Sequence, residues 1–363
     1  MSVHGAGMTD MEYVAAGERY IGLAVERLTL SDINGGYRIK YEAVIDAYRN
    51  AALRFQAGRR WMSAASAYVK CAQFQEKVRG SHEAAASYFT DAAEMYKRCD
   101  PASAEECMTR AAALLCLTGR FRIAAVLSDE IAEMAETDGR FADALDHRKN
   151  AANYFTEFCD MHARARSARV AGELAARTQE YDEAAELFLK SARDLGRDPL
   201  TQLNQPTLLL NSGLCLLAAE FDGGGRDGAV ARTRIENEIQ EEFRDFVPQL
   251  CREALFLDDV LAALSPNRGV PGARPHPTAT KRPSLDLFAD SLFNFDFVES
   301  LSPWRLSILM RLKDALIDEI AEVEQRDLEA EEAAEAARLE EVEAARLAAI
   351  AALVEDSDDE AFF

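Results

Sequence analysis

Ser81-His-Glu-Ala-Ala-Ala-Ser-Tyr-Phe-Thr-Asp-Ala-Ala-Glu-Met-Tyr-Lys97 is the stretch that decides the fold. Ala85, Tyr88, Phe89, Ala92 and Ala93 stand three and four residues apart, with charge on the other face. That spacing predicts an amphipathic helix. Ser81 is placed to cap its start, and Lys97–Arg98 suits its end.

Rows on either side fall into register with it at intervals of about twenty residues, from Arg59 to Leu195. One column of small residues runs through Ala64–Ala65, Ala84–Ala85, Ala104, Ala124–Ala125, Ala144, Ala165 and Ala184–Ala185. A second runs through Ala72, Ala92–Ala93, Ala111–Ala112, Ala132, Ala151–Ala152, Ala171 and Ala192. Breaking or capping residues separate the rows: Gly58, Gly80–Ser81, Asp100–Pro101, Gly119, Gly139, Asp160 and Gln179–Glu180. Alanine at the crossing points lets neighbouring helices approach closely. Self-similarity at a fixed period is the mark of a solenoid. Two rows make a helical hairpin of about forty residues, longer than the tetratricopeptide unit and similar in kind. The expected fold is therefore all-α: a right-handed, tetratricopeptide-like solenoid of helical hairpins, closed by a C-terminal helical bundle and followed by an acidic helical tail.

Along the chain, residues 1–11 read as a disordered N-terminus and residues 12–220 as the solenoid. Residues 229–320 read as the bundle, with a proline-rich disordered insertion at 265–283, and residues 321–363 as the tail. The segment from Leu28 to Gly36 reads as a loop. Leu208–Ala219 is apolar but interrupted by Asn211, Ser212 and Gly213, which suits a buried helix. Met1–Tyr13 lacks the basic-then-apolar pattern of a secretory signal.

The net charge is −22, and it is unevenly placed. From Asp314 onward there are eighteen acidic and three basic residues, a net −15, which leaves −7 on the first 313 residues. An acidic appendage on a mildly acidic body speaks against nucleic acid as a partner. The seven cysteines form no CxxC pair and fall mostly among apolar helix positions. They read as buried free thiols of a reducing compartment, the cytosol.

No catalytic constellation emerges. The histidines at 4, 82, 147, 162 and 276 show no HExxH or paired spacing and read as surface or satisfied core residues. Gly223–Gly225 lacks the strand before and the Lys-Ser/Thr after that a phosphate loop needs, so it reads as a linker. No metal, cofactor or enzymatic activity is expected. The basic residues of the rows carry more. Arg120 opens one row, Arg164, Arg166 and Arg169 cluster on another, and Arg252 lies on a later one. Equivalent positions of a solenoid line up, so these could form a basic face for an acidic, rod-like partner.

Several ordered blocks resemble the alpha-class soluble NSF attachment proteins. They include Thr118-Gly-Arg-Phe-Arg-Ile-Ala-Ala125 with Ile131-Ala-Glu-Met134, Tyr96-Lys-Arg-Cys-Asp-Pro101, Val170-Ala-Gly172, Gly213-Leu-Cys215, and Leu301-Ser-Pro-Trp304 with Ile308-Leu-Met-Arg-Leu-Lys313. The resemblance implies a twisted sheet of helical hairpins with a helical bundle at its end. It implies a cytoplasmic, non-enzymatic adaptor, peripherally associated with membranes. The concave face of such an adaptor binds the four-helix SNARE bundle (syntaxin-like), and its far end recruits and stimulates the hexameric AAA ATPase NSF during vesicle fusion. It assigns SNARE contacts to Arg120, Arg169 and Arg252. Val126 and Ala165 replace two basic family positions, with Arg164 and Arg166 as nearby substitutes. Glu220 is assigned to the ATPase side. Leu28, Leu30 and Ile33 stand where the family has a Phe-rich membrane loop. The chain then runs on past the family's end to Asp358, Asp359, Glu360, Phe362 and Phe363, an acidic and apolar terminus expected to face NSF. The alternative reading is a general tetratricopeptide-like scaffold that holds peptide tails.

Overall fold

A computed structural model describes residues 9–29, 37–78, 81–196, 201, 204–223, 229–241, 251–264, 284–296 and 301–359. Every regular element among them is helical. The chain divides into two compact units, Met1–Ser212 and Gly213–Phe363.

The N-terminal unit is the expected solenoid of helical hairpins. Its helices are α1 (Asp10–Thr29), α2 (Tyr37–Ala57), α3 (Trp61–Glu76), α4 (His82–Tyr96), α5 (Pro101–Leu117), α6 (Phe121–Thr137), α7 (Phe141–Glu157), α8 (Met161–Arg177), α9 (Tyr181–Leu195) and the first turns of α10 (Gln205–Asp222). Through α9, each helix packs chiefly on the one before it and the one after it. Both alanine columns lie in the core: Ala64, Ala104, Ala124, Ala144, Ala165 and Ala184 are fully buried, as are Ala72, Ala92, Ala111, Ala132, Ala151, Ala171 and Ala192. In α4 the register differs by one residue. Ala84 is exposed and Ala86 takes the buried place, because α4 starts one residue late in the twenty-residue rhythm.

The turns explain that rhythm. Arg59, Gly119, Gly139, Cys159 and Gln179 all have positive φ, between 54° and 77°. The next residue's amide reaches back five residues: Arg60 to the Phe55 carbonyl at 2.8 Å, Arg120 to Leu115 at 2.9 Å, Arg140 to Ala135 at 2.9 Å, Asp160 to Phe155 at 3.1 Å and Glu180 to Ala175 at 2.9 Å. This is a Schellman closure, in which a left-handed residue lets the chain satisfy the last carbonyls of a helix. The residue that closes one helix also precedes the first residue of the next. Asp160 fulfils both tasks, since its carboxylate accepts the Ala163 amide at 3.0 Å. Before α5 the turn changes: Asp100 is extended, as a residue before proline must be, and its carboxylate accepts from the Ser103 amide and hydroxyl. Ser81 does not cap α4. Its hydroxyl turns back instead and donates to the Gln75 and Val78 carbonyls at 2.7 and 2.6 Å, closing α3.

Buried serines stitch successive helices. Ser191 donates to the Ala165 carbonyl at 2.8 Å and Ser212 to the Ala185 carbonyl at 3.1 Å. Small, paired polar side chains can sit in an alanine core without leaving an unsatisfied group.

The C-terminal unit takes the remainder of α10, α11 (Ala229–Arg234), a π-helical turn (Ile235–Glu241), α12 (Arg252–Leu264), α13 (Leu285–Asp296) and α14 (Pro303–Asp359). Its core gathers Leu214, Leu217, Ile235, Phe256, Leu257, Phe288, Trp304, Ile308 and Leu316. Phe256 stacks on Phe295 at 4.3 Å. Gly213 permits close packing, because a Cβ there would stand 2.6 Å from the Leu257 Cδ2. Bundle and tail share one helix: α14 runs unbroken for 57 residues, about 85 Å at the standard rise. Its buried side chains end at Leu316. Residues 1–8, 224–228 and 265–283, which hold most of the expected disordered N-terminus, most of the expected linker and the whole expected insertion, lie outside the described residues.

Candidate binding surface

Cations are numerous on the solenoid, and several are committed to its own acids. Arg110 forks onto Glu76 at 3.2 and 2.8 Å. Arg140 reaches Glu105 at 2.7 Å and Asp143 at 2.9 Å, and the Glu105 hydrogen bond holds its pKa above the ordinary value. Lys149 meets Glu183 at 2.7 Å. Lys97 bridges Glu94 and Glu130. Others lie over rings, such as Arg98 at 4.4 Å from the Trp61 centroid. All of these ion pairs but Lys97–Glu94 and Arg140–Asp143 join helices two apart in sequence.

A buried network joins the three helices α6, α7 and α8. The Arg148 guanidinium donates to Asp129 at 3.0 Å and to Glu136 at 3.1 Å, and the Ser167 hydroxyl bonds Asp129 at 3.2 Å. Burial works against the Arg148 charge, but Asp129 and Glu136 outweigh it and keep its pKa raised. This network does not show in the periodicity, which marks only apolar positions. The available signal is a charged residue at a core position of the row.

Against this background the expected basic residues separate. Arg120 is the last residue before α6, with its side chain 55% exposed, and pairs only loosely with the equally open Glu83 at 3.1 Å. Arg166 is exposed on α8. Arg169, one turn on, is 43% exposed and pairs within its own helix to Glu173 at 2.5 Å. Arg164 differs. Its side chain is 18% exposed and forks onto the still more buried Asp194 of α9, so it is a structural link rather than an open cation. The Ser167–Asp129 bond fixes α8 beside α6. Arg166 and Arg169 flank Ser167, while Arg120 lies nine residues before Asp129, about 13 Å along α6.

Arg252 belongs to the C-terminal unit. It opens α12, with its guanidinium 4.9 Å from the Phe295 ring centroid and 3.6 Å from Glu253. Glu220 closes a local structure: its carboxylate accepts the Ala231 amide at 2.6 Å and the Val230 amide at 3.4 Å, at the start of α11. Leu28 lies in the last turn of α1 rather than in a loop, and packs partly buried on the solenoid core. Leu30, Ile33, Glu360, Phe362 and Phe363 lie outside the described residues, and Asp358 and Asp359 end α14.

The thiols divide more finely than expected. Cys71, Cys107 and Cys215 are buried, but Cys99 and Cys159 occupy inter-helix turns and are exposed. Burial pushes Cys71 up to about 12 and Cys107 to about 11. Among the described residues, no three His, Cys, Asp or Glu side chains are grouped to hold a metal ion, and no helix is long and apolar enough to cross a membrane.

Comparison with known proteins follows the same outline. The profile described as "Soluble NSF attachment protein, SNAP" matches residues 13–268. An alpha-soluble NSF attachment protein of Vitis vinifera is 30% identical over 81% of this chain and 92% of its own. The human alpha-soluble NSF attachment protein is 25% identical over 76% and 85%. A probable vesicular-fusion protein sec17 homolog of Schizosaccharomyces pombe is 25% identical over 76% and 87%. The solved structure of BtubC from P. vanneervenii overlaps 67% of the chain and 95% of its own at a TM-score of 0.31 and 15% identity, too distant to bear on the fold. With a matching profile over most of its length and a relative 30% identical over 81% of it, the chain belongs to the soluble NSF attachment protein family.

Proposed function

We propose that this protein acts in vesicle fusion as a non-catalytic NSF attachment protein that binds an assembled SNARE bundle and recruits and stimulates the NSF ATPase. The observation that carries the reading is family membership over residues 13–268, with a relative named for NSF attachment matched over 92% of its length. Charge supports it. On the solenoid, Arg166 is exposed, and Arg120 and Arg169 stay 55 and 43% exposed although they pair with Glu83 and Glu173, so an acidic rod would meet them there in competition with those two acids. Arg164 is spent on Asp194 and is dropped from that surface. Arg252 is kept as a separate contact of the C-terminal unit, and Glu220 as a residue of the NSF side. The Leu28 side chain has core partners, so membrane contact is assigned no more than the segment beyond it. The acidic and apolar terminus, with Asp358 and Asp359, carries ATPase stimulation.

The test is capture of an assembled SNARE bundle by the full-length protein at low and moderate salt, with and without NSF. Salt-sensitive capture, followed by NSF recruitment that needs this protein, supports the reading. Reversing Arg120, Arg166 and Arg169 to Glu should abolish capture. Removing residues 355–363 should lower ATPase stimulation while capture survives. Absence of capture at both salt concentrations refutes the adaptor role.

A further inference from the structure

Leu306, Ile317, Leu328, Leu339 and Ile350 follow one another at intervals of eleven residues along α14. Eleven residues are three helical turns with about 20° left over. The first four therefore form one line almost parallel to the helix axis, about 50 Å long at the standard rise. It is not the face that builds the core of the C-terminal unit. Ile308, Leu309, Leu312 and Leu316 are each 1% exposed, whereas Leu306, Ile317, Leu328 and Leu339 are 44, 42, 59 and 64% exposed. Met310 and Val342, at 46 and 66%, lie beside the same line. Scattered exposed leucines need no explanation. A repeat that continues past the core, with its period kept, does.

Charge says what kind of side chain meets it. Glu324, Glu331 and Glu335 fall one turn before, one turn after and two turns after Leu328, in the line itself. The whole of α14 carries seventeen acidic and six basic residues, a net −11. A second copy of α14 would bring two such helices together and be repelled in either orientation. A cation-bearing helix would be drawn in.

We propose that the outward line of α14 is a docking site for an amphipathic helix of another protein, one with large apolar residues at the same eleven-residue interval and Lys or Arg between them. The pairing is a straight or slightly right-handed two-helix contact, because an eleven-residue repeat does not give the left-handed winding of a seven-residue one. This inference stands apart from the SNARE and NSF reading, since it concerns neither the solenoid cations nor residues 355–363.

The experiment uses the full-length chain and three synthetic peptides of about 33 residues. One carries Leu every eleventh position with Lys between, one has the same Leu with Glu between, and one is the Lys peptide with its sequence scrambled. Binding is followed by fluorescence anisotropy. The Lys peptide should bind, the Glu peptide should not, and the scrambled peptide should be weaker by about tenfold or more. The variant Leu328→Gln, Leu339→Gln, Val342→Gln keeps charge and does not lower helix propensity, and circular dichroism checks that its helix content is not reduced. It should lose about tenfold or more in affinity for the Lys peptide. Equal binding of the scrambled peptide, or full retention by the variant, would leave only charge attraction and overturn the proposal. So would a concentration-dependent dimer in sedimentation of the chain alone that the variant abolishes, since the occupant would then be a second copy.

Discussion

The solenoid and the part of α14 past Leu316 are both helical and both rich in charge, yet their charges hold different things together. In the solenoid many partners are distant in sequence, beside local pairs such as Arg169–Glu173. Arg110–Glu76, Arg120–Glu83, Arg140–Glu105, Arg164–Asp194 and Ser167–Asp129 are separated by 30 to 38 residues. In α14 past Leu316 they are local: Arg326 reaches Glu319 at 3.4 Å and Glu322 at 3.7 Å, and Gln325 reaches Glu329 at 3.0 Å. The first arrangement fixes one helix against another. The second supports a single helix by turn-to-turn pairing, worth a few tenths of a kcal/mol per pair. A charge is thus structural where it crosses helices under cover and nearly neutral where it stays on one exposed face.

The sharpest way to break that contrast is to remove Asp129. Its side chain is 13% exposed and that of Arg148 10%, so Asp129→Ala leaves a buried guanidinium short of a partner. The expected loss is about 3–5 kcal/mol in denaturant unfolding. Arg326→Ala, on α14, should stay within about 0.5 kcal/mol. Similar losses for the two would end the distinction. Gly172→Ala probes packing in the same way. An added Cβ would stand 3.0 Å from the Cε1 of Phe188, which is itself fully buried and has nowhere to go. The substitution should cost about 1–3 kcal/mol. Ala336 is exposed on α14, and enlarging it to Leu should leave the melting temperature unmoved.

The same contrast explains what could be read beforehand. Both alanine columns, the row period and the buried helix around Leu214 follow from local spacing, and these define the all-α solenoid. What periodicity cannot carry is side-chain pairing across rows. Arg164 looks like Arg166 in sequence, and only Asp194, thirty residues on, distinguishes them. Ser81 looks like a cap and closes the helix before it instead. Cys159 and Gln179 adopt the conformation that Gly119 and Gly139 advertise, but their side chains give no sign of it. Thr9-Asp-Met-Glu12 is different, because the Thr-x-x-Glu signature is plain once sought. The Thr9 amide donates to Glu12 at 2.7 Å and the Glu12 amide to the Thr9 hydroxyl at 3.4 Å, so α1 begins at Asp10.

A turn that serves two helices should be more sensitive than a cap at a free end. Asp160→Ala removes the bond to the Ala163 amide while Cys159 stays in its left-handed conformation. About 1 kcal/mol should be lost in thermal or denaturant unfolding. Asp160→Asn, which keeps the acceptor, should recover most of it. Failure of Asn to do so would move the effect from the cap to the charge.

The smallest effect tests the contrast at the surface, where it is weakest. Lys149 and Glu183 join α7 to α9 with side chains 33 and 38% exposed. The Lys149 hydrogen bond holds the Glu183 carboxyl below its usual value of 4.5 and, in turn, Glu183 holds Lys149 above 10.5. A lowered carboxyl stabilises the folded chain above pH 4.5, and that contribution is lost as pH falls through the folded value. Lys149→Met should therefore be slightly less stable than the parent at pH 7, and the difference should close in acid. Added salt should shrink it too, since water screens both groups. A difference that persists unchanged in acid would come from the lost lysine stem packing on the helix rather than from the pair. The rim charges of the solenoid would then be no more structural than those of α14, and only the covered ones, Asp129, Arg148 and Arg164, would set the two regions apart.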